Sequence, residues 1–286
     1  MGARTDVAMS GYTSFRVGGN AATFFEPRSI QELVSALTAA QECGAPCFIM
    51  GNGTNLLISD SGIDALVIRL CEGFSGVERT DNVFTVRAGS LLSAFARSTV
   101  ELGFGGLEWA AGIPGSVGGA AAMNAGAYGG EIKQVLSRIT YLENGRLVTE
   151  IPPAESLGYR HSVYCAPDRI VVEAEFTLQA DSGARGRMEE YSKLRREKQP
   201  LAYPRAGSTF KRPEGHFAGA LIEGAGLKGR RAGGAQVSEL HAGFIINTGG
   251  ATARDVYSLI RIVIDEVYQS SGVMLEPEVK LIGEFD

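Results

Sequence analysis

Gly112-Ile-Pro-Gly-Ser-Val-Gly-Gly-Ala-Ala-Ala-Met-Asn-Ala-Gly126 carries five glycines in fifteen positions, and Gly51-Asn-Gly-Thr-Asn-Leu-Leu57 lies upstream of it. Glycine in both stretches frees backbone N–H groups to point at an anion, and Thr54, Asn55 and Ser116 add side-chain donors without net charge. A short apolar run, Cys47 to Met50, breaks directly into the first stretch. A strand running into a glycine turn is a phosphate-binding context. Spacing alone leaves an equal alternative, in which both stretches are tight turns beneath a helix.

A third cluster, Gly224-Ala-Gly-Leu-Lys-Gly229, has the letters of the dinucleotide fingerprint, which must follow a strand and open a helix. Here the order is reversed. Ala218 to Glu223 has a helical pattern and Arg230-Arg-Ala-Gly-Gly234 is a poor helix start, so the cluster reads as a helix C-cap and loop. No Gly-Lys-Ser/Thr occurs, which removes a Walker-type phosphate loop.

Moving outward, Ser29 and Glu32 have capping-box spacing before Ile30, Leu33, Val34 and Leu37, and Gly44 supplies a stop, so a helix is expected over about 30–43. Val67 to Leu70 and Val83 to Arg87 read as strands, and Ser90 as the cap of a helix ended by Gly103. Val135 to Leu142, Asn144-Gly145 and Leu147 to Thr149 form a hairpin signal, with a further strand from Ile170 to Leu178. A charged helix over 185–198 precedes Pro200 and Pro204, where a domain boundary is expected. Thr252 caps a final helix bearing Val256, Leu259, Ile260, Val263 and Val267 on one face and closing near Gly272, before a terminal strand from Val273 to Ile282. Without a regular βαβ rhythm, this mixture favours an α+β fold over a doubly wound sheet.

At 286 residues the chain is long enough for two or three packed units. Its 27 Lys+Arg against 32 Asp+Glu give a net charge of −5, which argues against a dedicated nucleic-acid or membrane-surface binder. The 38 glycines cluster between hydrophobic runs without a period, which excludes collagen and points to close approach of backbone to a large cofactor. Cys43, Cys47, Cys71 and Cys165 lack zinc spacing, and His161, His216 and His241 are scattered, so no metal is expected; Cys43 and Cys47 read as half-buried thiols. No apolar run reaches the ~18 residues of a membrane span, and residues 1–10 lack a signal-peptide core. The expectation is a soluble, reduced, cytoplasmic protein.

Eight blocks, in this order and spanning nearly the whole chain, carry a resemblance. Thr13-Ser-Phe-Arg-Val-Gly-Gly19, Gly51 to Leu57, Ala111 to Ala120 and Tyr159-Arg-His-Ser162 come first. Arg205-Ala-Gly-Ser-Thr-Phe210, Ala225-Gly-Leu-Lys-Gly229, Ala235-Gln-Val-Ser-Glu-Leu-His-Ala242 and Leu275-Glu-Pro-Glu-Val-Lys280 follow. Together they closely resemble the UDP-N-acetylenolpyruvoylglucosamine reductases. The resemblance implies a FAD enzyme of peptidoglycan precursor synthesis that uses NADPH. It implies an α+β, vanillyl-alcohol-oxidase-type FAD-binding unit in two subdomains, 1–70 joined by 272–286 and 71–197, plus a UDP-sugar domain over 198–271. The chain resembles the compact subclass, which lacks a loop carrying a substrate-covering Tyr. FAD contacts are implied for Gly51, Asn52, Gly53, Thr54, Asn55 and Leu56, and for Gly112, Ile113, Pro114, Gly115, Ser116, Gly118 and Gly119. Neither stretch contains His, so the flavin is expected to be non-covalent. Small-molecule partners and a monomer are expected.

Reduction of an enolpyruvyl ether places hydride on the terminal vinyl carbon and spreads negative charge over the adjacent carbon and its carboxylate. That charge needs a cationic or protonated donor, and the carbanion needs an acid. The resemblance implies that Arg160, in Tyr-Arg-x-Ser, supplies the guanidinium; taken alone, a surface ion pair is the commoner role for such an Arg. Strand alternation puts Glu276 and Glu278 on one face and cannot separate them; the family motif selects Glu278. Ser208 stands where the family has its proton donor, although by itself it reads as a serine in a glycine turn. Tyr159, Lys211, Gln236 and Asn247 are implied as UDP-sugar contacts. The rival expectations are another FAD oxidoreductase of the same fold, or a nucleotide-binding relative that has lost catalysis; Arg160, Ser208 and Glu278 together speak against loss.

Overall fold

A computed structural model describes residues 2–285. Two compact units emerge, one holding Phe24–Asn52 and Ala65–Arg195, the other Arg4–Thr23, Gly53–Asp64 and the chain from Arg196 onward.

In the first unit, α1 (Ile30–Glu42) starts at Ser29, whose hydroxyl accepts from Glu32 N–H. The Glu32 carboxylate accepts from Arg28 N–H at 2.8 Å, one residue outside the expected reciprocal partner. Strand Cys47–Met50 then pairs parallel with residues 66–69. An antiparallel sheet of five strands forms the centre: Arg146–Glu150, Leu136–Glu143, Arg169–Thr177, Val83–Arg87 and Val77–Thr80, in that order. The Asn144-Gly145 turn has φ of 49° and 74°, as a two-residue I′ connection requires, and Glu143 pairs with Arg146. Leu142, Ile170 and Val172 bury one sheet face with Leu33 and Ala36 of α1. Ile139, Ala174 and Phe176 bury the other with α2 (Leu92–Glu101) and α3 (Val117–Ala122). The charged α4 covers Ala184–Lys198.

Ser90 does not cap α2. Its hydroxyl instead exchanges bonds with Gly76 N–H and C=O at 3.0 and 3.1 Å, while Leu92 N–H is satisfied by Gly115 C=O. Cys43 and Cys47 are exposed rather than half-buried, because one ends α1 and the other opens the following strand.

In the second unit, α5 (Ala218–Gly224) ends at Ala225 with Gly226 at φ 73°, so the fingerprint-like cluster is a helix terminus. A three-stranded antiparallel sheet, Arg231–Ala232, Ala235–Val237 and Ile245–Asn247, packs on α6 (Ala253–Ser271). Thr252 and Asp255 form the capping box of α6, Asp60 accepts from Ala253 and Arg254 N–H, and left-handed Gly272 closes it. The expected terminal strand shrinks to Lys280–Ile282, parallel to Leu56–Ile58. Pro277 lacks the N–H that a continuous ladder needs, and Leu281 is left exposed.

Candidate active site

Inside the first unit, Gly51 and Asn52, which open the first glycine stretch, meet the second stretch. A Cβ on residue 51 would fall onto Ser116 Oγ, so only glycine fits there, and Asn52 Nδ2 donates to Pro114 C=O at 3.1 Å. Among the described residues, the N–H groups of Gly51 and Asn52 find no acceptor, nor do those of Gly53, Thr54 and Asn55 where the chain continues. Half-buried donors without partners are costly unless something else binds them. The second stretch is more self-contained. Ile113, Val117 and Gly118 donate to Ala110, Ser90 and Ala88 carbonyls, and Gly119 donates to Ser116 Oγ, leaving the N–H groups of Gly112, Gly115 and Ser116 without an acceptor among the described residues.

Gly118 serves packing, since a Cβ there would lie 2.6 Å from that of Ala88. Two arginines that no sequence motif singles out hold the loop: Arg97 Nη1 donates to Ala111 C=O at 2.7 Å, and Arg195 Nη1 to Gly112 C=O. Converging donors and a cradle that a Cβ would fill fit the pyrophosphate of FAD. Gly51→Ala is expected to purify with little flavin, because the methyl must displace Ser116. A variant retaining full flavin absorbance would show that the two loops need not meet so closely.

Arg160 occupies the two-residue tip of a hairpin between Leu157–Gly158 and His161–Ser162, at φ 55°. Its Nη2 donates to Gly126 C=O at 2.6 Å, and its Cζ lies 4.9 Å from the ring centre of Tyr159, which is 46% exposed. The guanidinium is therefore held by a backbone carbonyl at the hairpin turn.

Ser208 and Glu278 come together in the second unit. Residues 209–211 run antiparallel to 276–278: Glu278 N–H donates to Thr209 C=O and Lys211 N–H to Glu276 C=O, each at 2.8 Å, with a bridge from Phe210 to Pro277. Glu278 is half-buried, and its carbonyl accepts from Asn55 Nδ2 at 3.1 Å. The Ser208 hydroxyl is exposed and has no hydrogen-bond partner among the described residues. Behind it, Thr209 N–H donates to Gly243 C=O, and Gly243 N–H to His241 Nδ1 at 3.1 Å. Burial, helped by Lys228, pushes the His241 imidazole below its usual value and favours the neutral form that accepts this bond.

Glu276 differs from Glu278: its exposed carboxylate pairs with Lys211 Nζ. Lys211, expected to meet the sugar, thus has a carboxylate partner already. Gln236 is buried, donating to Gly229 C=O and accepting from Arg231 Nη2, both at 3.3 Å. Asn247 is also engaged within the protein. Its Nδ2 donates to Phe15 C=O, and its Oδ1 accepts from Gly249 and Ala251 N–H, so the amide knits the turn before α6. Among the described residues no cluster of three or more His, Cys, Asp or Glu could hold a metal ion, and no helix is long and apolar enough to cross a membrane.

Comparison with known proteins shows the family. The family description "UDP-N-acetylenolpyruvoylglucosamine reductase, C-terminal domain" matches residues 199–282, and "FAD binding domain" matches 21–149. The UDP-N-acetylenolpyruvoylglucosamine reductase of Agathobacter rectalis is 46% identical, covering 100% of this chain and 95% of that protein. The chain belongs to the UDP-N-acetylenolpyruvoylglucosamine reductase family. The enzyme of the same name from Clostridium beijerinckii is also 46% identical, over 98% of this chain and 92% of its own length. The crystal structure of the Thermus caldophilus reductase superposes with a TM-score of 0.85 at 34% identity, covering 98% of this chain and 100% of that one. As a member of this reductase family the chain has the expected α+β fold, with the FAD-binding match on one side of the family's C-terminal domain.

Proposed function

We infer that Arg160, Ser208 and Glu278 carry the chemistry of this reductase, and the observation that supports it best is the backbone tie from Glu278 N–H to Thr209 C=O. The chain is an NADPH-dependent FAD oxidoreductase that reduces UDP-N-acetylglucosamine enolpyruvate to UDP-N-acetylmuramate in peptidoglycan precursor synthesis. Bound FAD supplies the hydride that NADPH delivers to it. Gly51, Asn52, Gly53, Thr54 and Asn55, with Gly112, Gly115 and Ser116, hold its phosphates through backbone N–H groups.

Arg160 meets the substrate carboxylate with a permanent charge and a planar fork, and stabilises the negative charge that grows there. Ser208, whose hydroxyl has no hydrogen-bond partner among the described residues, delivers the proton to the carbon adjacent to that carboxylate. A hydroxyl is a weak acid at neutral pH, so its proton must be replaced from water or polarised by the substrate as it moves. Glu278, one residue across from Ser208, is the second group that acts on the same developing charge. Tyr159, exposed beside Arg160, is proposed to contact the sugar nucleotide, with weaker roles for Lys211 and Gln236.

Residues 1–70 with 272–286, and 71–197, are proposed to form the FAD-binding subdomains, and 198–271 the sugar-binding domain. The enzyme is proposed to work in the cytoplasm as a monomer, which size-exclusion mass measurement tests. Glu278→Gln is expected to lower turnover by about 10²-fold, the scale for losing one preorganised group. Glu276→Gln should lower it little, because an exposed ion pair with Lys211 is worth about 0–1 kcal/mol. Steady-state rates showing the reverse ranking would transfer the role to Glu276.

A further inference from the structure

Arg160 has a support that the chemistry above does not use. The hairpin presenting it has only two paired positions, Leu157 with Ser162 and Gly158 with His161. So short a ribbon does not fix its own tip. Its position must come from outside, and both strands are in fact tied to the chain that leaves α3.

Ser162 Oγ donates to Ala122 C=O, the last residue of α3. Two residues later, Asn124 Nδ2 donates to Gly158 C=O at 2.8 Å, immediately before the Tyr159-Arg160 tip. The same Nδ2 donates to Glu131 Oε2 at 3.1 Å, and Asn124 Oδ1 accepts from Lys133 N–H at 3.0 Å. The amide is thus locked from both ends. Asn124 is fully buried and sits at φ 45°, a left-handed conformation that asparagine tolerates better than most side chains. Two residues further on, Gly126 C=O accepts the Arg160 guanidinium, and a Cβ at residue 126 would approach Arg160 Nη1 to 3.2 Å. The segment 124–126 therefore grips Arg160 twice, by the backbone before it and by its head group.

We propose that Asn124 is the positioning residue for Arg160: its amide fixes the hairpin tip so that the guanidinium faces the substrate carboxylate. The inference rests on the reading of Arg160 as the carboxylate-binding group. Loss of the amide frees Gly158 C=O, and a tip displaced by about 1 Å from its productive place costs about 10²-fold in rate. The effect falls on reduction of the enolpyruvyl sugar. Hydride transfer from NADPH to flavin involves no substrate carboxylate and is spared.

Asn124→Gly is the test variant, because glycine adopts a positive φ without strain while the amide is removed. Stopped-flow absorbance of the flavin in holoenzyme reads both half-reactions, alone and in combination with Arg160→Ala. The proposal expects unchanged flavin reduction by NADPH and reoxidation by the sugar slowed by about 10²-fold in Asn124→Gly. It also expects no further slowing when Asn124→Gly is added to Arg160→Ala, since a residue acting through another is silent once that other is gone.

Equal slowing by Asn124→Gly with and without Arg160, or slowing of both half-reactions alike, overturns the positioning role while leaving Arg160 in place. Near-normal reoxidation in Arg160→Ala overturns both. If Asn124→Gly fails to keep its flavin, Asn124→Asp, which retains the shape but loses the donors to Gly158, is subject to the same comparison with the same outcomes.

Discussion

Ser208→Ala is expected to bleach its flavin with NADPH at close to the normal rate and then to reoxidise with the enolpyruvyl sugar about 10²–10⁴-fold more slowly, the range for a lost general acid. The asymmetry follows from the chemistry. Hydride transfer from NADPH needs no proton donor, whereas saturation of the vinyl ether does. Structure sharpens the expectation, because the exposed Ser208 hydroxyl has no hydrogen-bond partner among the described residues, so its removal breaks no internal bond. Ser208→Cys should retain part of the activity, a thiol being the stronger acid. Stopped-flow absorbance of the two half-reactions decides: equal slowing of both points to damaged flavin binding, and undiminished reoxidation removes Ser208 as the acid.

Arg160→Lys is expected to lower turnover with the enolpyruvyl sugar by about 10²–10³-fold. A lysine keeps the charge but not the fork. In place, the guanidinium donates to Gly126 C=O through Nη2. An ammonium is a compact point charge and cannot reproduce that planar fork from the same turn. The variant should keep its flavin, since the segments proposed to hold the pyrophosphate, Gly51 to Asn55 and Gly112 to Ser116, do not include Arg160. Near-normal steady-state reduction by Arg160→Lys would return the residue to the role of an ordinary surface cation.

The elements that could be read from sequence were those whose information is local. Ser29, the Asn144-Gly145 turn, and Thr252 with Gly272 each satisfy backbone groups within four residues, so spacing alone located α1, the hairpin and α6. Ser90 misled because its hydroxyl partner, Gly76, is fourteen residues away. The terminal strand was overdrawn because alternation continues through Pro277, where the ladder cannot. At the site, the glycine stretches were visible as donors, but not which donors are consumed internally. That depends on Ala88, Ser90 and Ala110, which lie outside the second stretch. Glu276 and Glu278 share a strand face in the sequence and are separated by a contact with Lys211, 65 residues away. Asn124 lies in a glycine-rich run, and nothing local marks it out. Its partner Gly158 is 34 residues away.

One flavin, held by these glycine loops, is proposed to link NADPH to the enolpyruvyl sugar at Arg160, Ser208 and Glu278. The most direct measurement is the absorption spectrum of the purified protein, titrated anaerobically with NADPH and then with the enolpyruvyl sugar. The expected result is a yellow protein whose FAD is released on denaturation, is bleached by NADPH and is restored by the sugar. A colourless protein that cannot take up FAD, or a reduced flavin that the sugar fails to reoxidise, would contradict it.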